Sequence, residues 1–262
     1  MRTRPRGIIV SAVIRTSGLM IVLVFCCMVH AAAELHQSAI IGREEISSAS
    51  REDLVKRLRA ITGWSSLKFD DNGSLQVGET TAVDGSISAR NLLSKALAGN
   101  TVLILEDASN RSDVVFSRVV PGRWKKDTVE QRPVFVVLID FADFDHLMGD
   151  RPALEAFNVG WGVLHEIDHV VNDSFDAAGL GRTGECEDHI NQMRRERHLP
   201  ERQEYYFTFF PHSEEGDFKT KLVRLAFDQR EANANKRHRY WLMWDATQVG
   251  GLPDARQIAA LR

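Results

Sequence analysis

The chain has 262 residues, with 33 Lys or Arg, 36 Asp or Glu and three Cys, and carries a formal charge of −3. That mildly acidic balance argues against a nucleic-acid partner. Three cysteines are too few for a disulfide-stapled scaffold, and the length suits one substantial core.

The N-terminus reads as an export signal. Arg2, Arg4, Arg6 and Arg15 precede an apolar run from Leu19 to Val29, and Ala31-Ala32-Ala33 follow as a cleavage site. The expected segments are a signal peptide at 1–33, a mobile lead-in at 34–50 and a single domain at 51–262. The product is then periplasmic or secreted; an uncleaved N-terminal membrane anchor is the alternative. The eleven-residue apolar core falls short of the ~20 residues that span a bilayer. Removal of the four arginines leaves 29 basic against 36 acidic residues, a formal charge of −7. Cys26 and Cys27 leave with the signal, so Cys186 has no partner within the chain.

In chain order, Ser50 is expected to cap a first helix with Leu54, Leu58 and Ile61 on its buried face, ending at Gly63. Asp70-Asp71-Asn72-Gly73 reads as the turn of a β-hairpin between Leu67 and Val77. A second helix is expected from Ser88 to Leu97, then a buried strand at Thr101–Leu105, a further strand at Val114–Phe116 and the most apolar strand at Val134–Ile139. The acids of Asp140–Asp145, with His146, read as capping or solvated groups, a second metal cluster being the alternative.

Asp150 is expected to cap the next helix, with Pro152 in its first turn. From Leu154 to Val171 the segment is apolar nearly all round, which predicts burial. Asn158, Gly162, His165, His169 and Asn172 break that rule on one face, as the wall of a polar cleft would. Gly160 and Gly162 suggest close approach of another backbone. Within this helix, His165-Glu166-Ile167-Asp168-His169 places two imidazoles one turn apart, able to grip one metal ion, with Glu166 beside the ion's open position.

A third ligand must come from elsewhere, and the amphipathic helix expected at Gly184–Arg197 offers it. Cys186, Ile190 and Met193 form its packing stripe, Glu187 lies beside that stripe with Asn191 and Arg194, and Glu185 lies on the other side with His189 and Gln192. H-E-x-x-H followed about twenty residues later by a Glu on a second helix resembles the gluzincin branch of the zincin metallopeptidases. Carried over by position, the resemblance makes Glu187 the third zinc ligand, with Glu185 next and Asp173, Asp188, His189 and Cys186 behind. No His follows at the short spacing of the metzincin branch.

Asn191-x-x-Arg194-x-Glu196-x-x-Leu199-Pro200-x-Arg202-x-x-Tyr205 is also similar to the corresponding tail of metallopeptidase-type bacterial effectors and toxins. That similarity gives Tyr205, or Arg202, the role of oxyanion donor. Asp168 is expected as an outer-shell or surface acid. Phe218–Phe227 and Arg239–Trp244 form a C-terminal hairpin, Trp241 and Trp244 packing on the core or lining a groove, and Asp254–Leu261 form a last short helix.

The expected molecule is thus an α+β, zincin-like domain, with a mixed or antiparallel sheet beside a buried active-site helix. It is expected to be an exported peptidase with one Zn2+, acting on a peptide or protein with Glu166 as general base. Two other readings remain: a metal-binding envelope scaffold without proteolytic activity, and a zinc amidase acting on a non-protein amide.

Overall fold

The computed structural model describes residues 39–78, 82–109, 111–123, 132–209, 222–231 and 236–249. The expected export signal, the start of the hairpin at Phe218 and the last helix lie outside them. The secondary structure is α+β. One sheet runs in the order β1-β4-β6-β5, a second contains β7-β11-β10-β8 with β9 also on β10, and β2-β3 is a separate hairpin.

In the first sheet, β1 (Ile40–Gly42), β4 (Val102–Asp107) and β6 (Val134–Ile139) are parallel, and β5 (Ser117–Pro121) closes one edge antiparallel to β6. Strand β1 falls inside the expected mobile lead-in and corrects it. Ala39 and Ile40 are wholly buried, and the Ala39 carbonyl accepts from Leu103 N at 2.6 Å. Two adjacent isoleucines suffice for a short strand when a partner strand supplies the hydrogen bonds.

Helix α1 (Ser48–Thr62) buries Leu54, Leu58 and Ile61 as expected, and Gly63 ends it in the left-handed conformation. Its cap is Ser47 rather than Ser50; the Ser47 hydroxyl accepts from Ser50 N. The hairpin β2 (Lys68–Phe69) and β3 (Leu75–Gln76) turns where expected, with Asp70 Oδ1 accepting from Asn72 N and Ser74 N. Asp70 Oδ2 also accepts from Gln76 Nε2 at 3.1 Å, which ties the turn to β3.

Helix α2 (Ile87–Ala98) is capped by Ser86. Glu196 reaches this N-terminus, accepting from Ser86 Oγ at 2.6 Å, Ser88 Oγ at 2.6 Å and Ser88 N at 3.0 Å. Burial alone would raise the Glu196 pKa, but these donors outweigh it and hold it at about 2. A depressed carboxyl stabilises the fold above its ordinary value of 4.5 and loses that contribution as pH falls from there toward about 2. Glu196→Ala is accordingly expected to cost about 1–2 kcal/mol at pH 7. Denaturation of the two proteins should converge only below about pH 2; a gap that persists there would place the cost elsewhere.

Two of the acids after β6, Asp140 and Asp143, are structural, and Asp145 is exposed. Asp140 caps α3 (Phe141–Asp145), and buried Asp143 accepts from Phe116 N at 2.9 Å. The next helix is not continuous as expected. It divides into α4 (Arg151–Ala156) and α5 (Val159–Asn172), with Phe157 and Asn158 extended between them and Asn158 Oδ1 accepting from Gly160 N. Asp150 makes no side-chain cap; its carboxylate accepts from Trp241 N. Apolar residues all round hid the break, because periodicity has no phase to lose in such a run.

Helix α5 is central, touching α1, α2, β5, β6 and α6 (Glu185–Glu196). Its glycines face side chains rather than backbone. A Cβ on Gly160 would lie 2.7 Å from Arg57 Cβ, and one on Gly162 would lie 2.9 Å from Phe144 Cζ and 3.1 Å from Ser117 Oγ. The C-terminal hairpin, β10 (Leu222–Arg230) with β11 (Arg237–Asp245), is the middle of the second sheet, with β7 (Met148–Gly149), β8 (Glu201–Arg202) and β9 (Thr208–Phe209) as antiparallel neighbours. Trp244 is buried in this sheet's core, while Trp241 packs against the Arg224 and Arg239 guanidiniums. Among the described residues no helix is long and apolar enough to cross a membrane.

Candidate metal centre

Stacking one turn apart on α5 brings the His165 and His169 rings to 4.8 Å between centroids, edge to face. Both Nε2 atoms converge on one carboxylate oxygen, Asp176 Oδ1, at 3.1 Å from His165 and 3.5 Å from His169. The outer nitrogens face acceptors, His169 Nδ1 at 2.8 Å from the Ser174 carbonyl and His165 Nδ1 at 3.4 Å from Glu187 Oε2.

Asp176 arrives there because α5 ends at Asp173 in the left-handed conformation (φ 52°), which reverses the chain beneath the histidines. Asp168 secures that reversal. Fully buried, it accepts from Ser174 Oγ and Asn172 Nδ2 and contacts His189 Nδ1 at 2.8 Å. Asp168 is therefore an interior anchor for the loop that orients His169, not a surface acid.

The charges concentrate negative potential on the histidines. Burial alone would lower both imidazole pKa values, but contacts with Asp176 and Cys186, Glu187 beside His165 and the Ser174 carbonyl beside His169 outweigh it; His169 rises to about 11 and His165 well above its ordinary value. Asp176 and Glu187 go the other way: burial opposes their ionisation, yet the histidines around Asp176, and Arg194, Arg202 and His165 around Glu187, push both well below the usual carboxylate range. Two ionised carboxylates, Asp176 and Glu187, thus lie against the two imidazoles.

Glu187 is buried and ion-paired to both Arg194 and Arg202, the latter at 3.0 Å. Glu185 is exposed on the outer side of α6, and Asp188 bonds Thr183 there, so neither approaches the histidines. The Cys186 thiol is wholly buried and donates to the His165 carbonyl at 3.3 Å; its sulfur and the two imidazoles lie within 4.8 Å of one another.

Glu166 is buried beside the antiparallel edge strand, Oε1 accepting from Ser117 Oγ at 2.9 Å and Oε2 from Val119 N at 2.8 Å. The residue before Ser117 is strained. Phe116 has φ 62°, Ser117 N closes a tight turn onto the Val115 carbonyl, and Asp143 holds Phe116 N. A bulky residue in that conformation costs about 1–3 kcal/mol, and here the turn aims Ser117 at Glu166.

Beyond Glu166 and His165 opens a cavity of about 860 Å³ walled by Phe116, Phe157, Trp161, Phe207, Leu225 and Trp244. Tyr205 lies at its histidine end, its ring stacked on His165 and its hydroxyl donating to Asp176 Oδ2 at 2.7 Å. Burial, reinforced by Asp176, raises the Tyr205 pKa, so the phenol remains a donor. Arg202 is engaged elsewhere, by Glu187 and the carbonyls of Glu204 and Tyr205.

Comparisons with protein-family models, curated proteins and solved structures gave no match. The centre therefore rests on its own geometry. Of the residues expected from sequence, His165, Glu166, His169, Cys186, Glu187 and Tyr205 come together; Glu185, Asp173 and Asp188 stay outside, and His189 turns to Asp168. Asp176, Ser117, Asp143 and Phe116 were not foreseen. The one sequence signal for Asp176 is a carboxylate seven residues after His169.

Proposed function

We propose that this chain is an exported, zinc-dependent peptidase of zincin-like architecture, with His165 and His169 as ligands and Glu166 as general base. The observation that carries this reading is the convergence of two Nε2 atoms on one point, beside a buried carboxylate and an open apolar cleft. The donors suit the ion: two imidazoles, each with its outer nitrogen against an acceptor, are what a borderline-soft divalent cation takes.

Bound zinc supplies an acidified water and a polarised carbonyl. Glu166 accepts the water's proton and passes it to the leaving amine, and Ser117 Oγ and Val119 N keep its carboxylate in one orientation meanwhile. Tyr205 is the donor we assign to negative charge developing on the substrate oxygen, a role in which its hydroxyl turns from Asp176 Oδ2 to the substrate. An apolar cavity beside the base favours substrates with a large aromatic or aliphatic side chain next to the cleaved amide. The N-terminal arginines and apolar run support action outside the cytoplasm.

The test is zinc stoichiometry together with cleavage of a broad peptide library. One zinc per chain is expected, with cleavage lost on chelation and restored by zinc. A zinc-loaded protein that cleaves no peptide would instead favour the scaffold or non-protein amidase reading.

A further inference from the structure

We infer that Asp176 is the third protein ligand of the metal, and that Glu187 is the buried acceptor that fixes His165 through Nδ1. This rests on the metal centre proposed above and departs from the position that the gluzincin resemblance gives to Glu187. Donors around a tetrahedral zinc at bond lengths of about 2.0–2.1 Å stand about 3.3 Å apart. The separations from Asp176 Oδ1 to the two Nε2 atoms, 3.1 and 3.5 Å, bracket that value. Asp176 Oδ1 is thus placed to share one ion with both histidines.

Glu187 meets a different nitrogen. Its Oε2 lies 3.4 Å from His165 Nδ1, on the ring edge away from the point that His165 and His169 share. Its carboxylate already carries Arg194 on one oxygen and Arg202 on the other. Drawing it onto a metal would strip a partner from two guanidiniums, one of them fully buried, whereas Asp176 has only the Tyr205 hydroxyl to accommodate. As an acceptor for the Nδ1 proton, Glu187 matches Ser174, whose carbonyl does the same for His169. The two histidines then have the same tautomer, each presenting Nε2 inward. The Cys186 thiol is turned to the His165 carbonyl and is the competitor to be tested.

Cobalt(II) replaces zinc in such sites and gives an intense near-ultraviolet charge-transfer band only when a thiolate binds it directly. The test uses full-length wild type, Asp176→Cys, Asp176→Ala, Glu187→Cys and Glu187→Gln, stripped and reloaded with cobalt or zinc, with circular dichroism confirming the fold of each. Wild type should lack the band and Asp176→Cys should gain it, while Glu187→Cys lacks it. Asp176→Ala should lower zinc affinity more than 100-fold, and Glu187→Gln by 10- to 100-fold, the usual range for an outer-shell partner.

The assignment is overturned if wild type already shows the band, which would make Cys186 a ligand, or if Glu187→Cys gains it and Asp176→Cys does not. Wild type that takes up neither ion overturns the assignment and the metal centre together. Metal-loaded wild type that cleaves no peptide removes only the peptidase reading.

Discussion

Glu166→Gln is expected to bind zinc as the wild type does and to lose peptide cleavage by about 10²- to 10⁴-fold, the usual range for removing a general base. Both halves follow from how Glu166 is held. Its carboxylate contacts Ser117 and Val119 on the edge strand, not the histidines, so the amide leaves the converging nitrogens untouched. Glutamine also fits the same bonds: its carbonyl oxygen accepts from Val119 N, which can only donate, and its NH2 turns to Ser117 Oγ, whose hydroxyl can accept. Fold and metal centre persist while the proton acceptor is gone. Zinc analysis and kcat/KM on a cleaved peptide measure the two halves. Activity within tenfold of wild type, or loss of zinc, would remove Glu166 from the chemistry assigned to it.

What was legible in the sequence was whatever depends on neighbours along the chain. His165, Glu166 and His169 share one helical turn, and β6 is an unbroken apolar run whose limits the structure reproduces at Val134 and Ile139. Glu187 was placed correctly on the inner side of its helix, because amphipathic phase decides which acid faces inward. What stayed hidden depends on backbone excursions that composition does not announce. Asp176 reaches the histidines through a left-handed Asp173, and Ser117 reaches Glu166 through a left-handed Phe116, at residues where no glycine advertises a positive φ. The break between α4 and α5 was likewise invisible, since Asn158 looked like one member of a polar stripe. Its side chain instead starts the helix of the two histidines afresh.

Arg194→Met is expected to destabilise the protein by about 3–5 kcal/mol, the usual cost of removing one member of a buried ion-pair network. Arg194 is 1 % exposed and lies between the Trp161 and Phe227 rings, 5.4 and 5.5 Å from their centroids. Its guanidinium does three things at once. It pairs with Glu187, donates to Asn191 Oδ1 at 2.8 Å, and donates through Nε to the Ala156 carbonyl at 2.8 Å, at the break between α4 and α5. Methionine fills the aromatic slot but supplies no donor, so the Ala156 carbonyl loses this bond and Glu187 is left to Arg202. Arg194→Met/Glu187→Met is expected to be no more stable than Arg194→Met alone, because it takes the carboxylate from Arg202, whose side chain is only 12 % exposed. Urea denaturation of the metal-free proteins measures both steps without interference from zinc affinity. A single variant costing under about 1 kcal/mol would mean that Arg202 and water neutralise Glu187 unaided. The buried triad would then be a device for orienting His165 rather than a support of the fold.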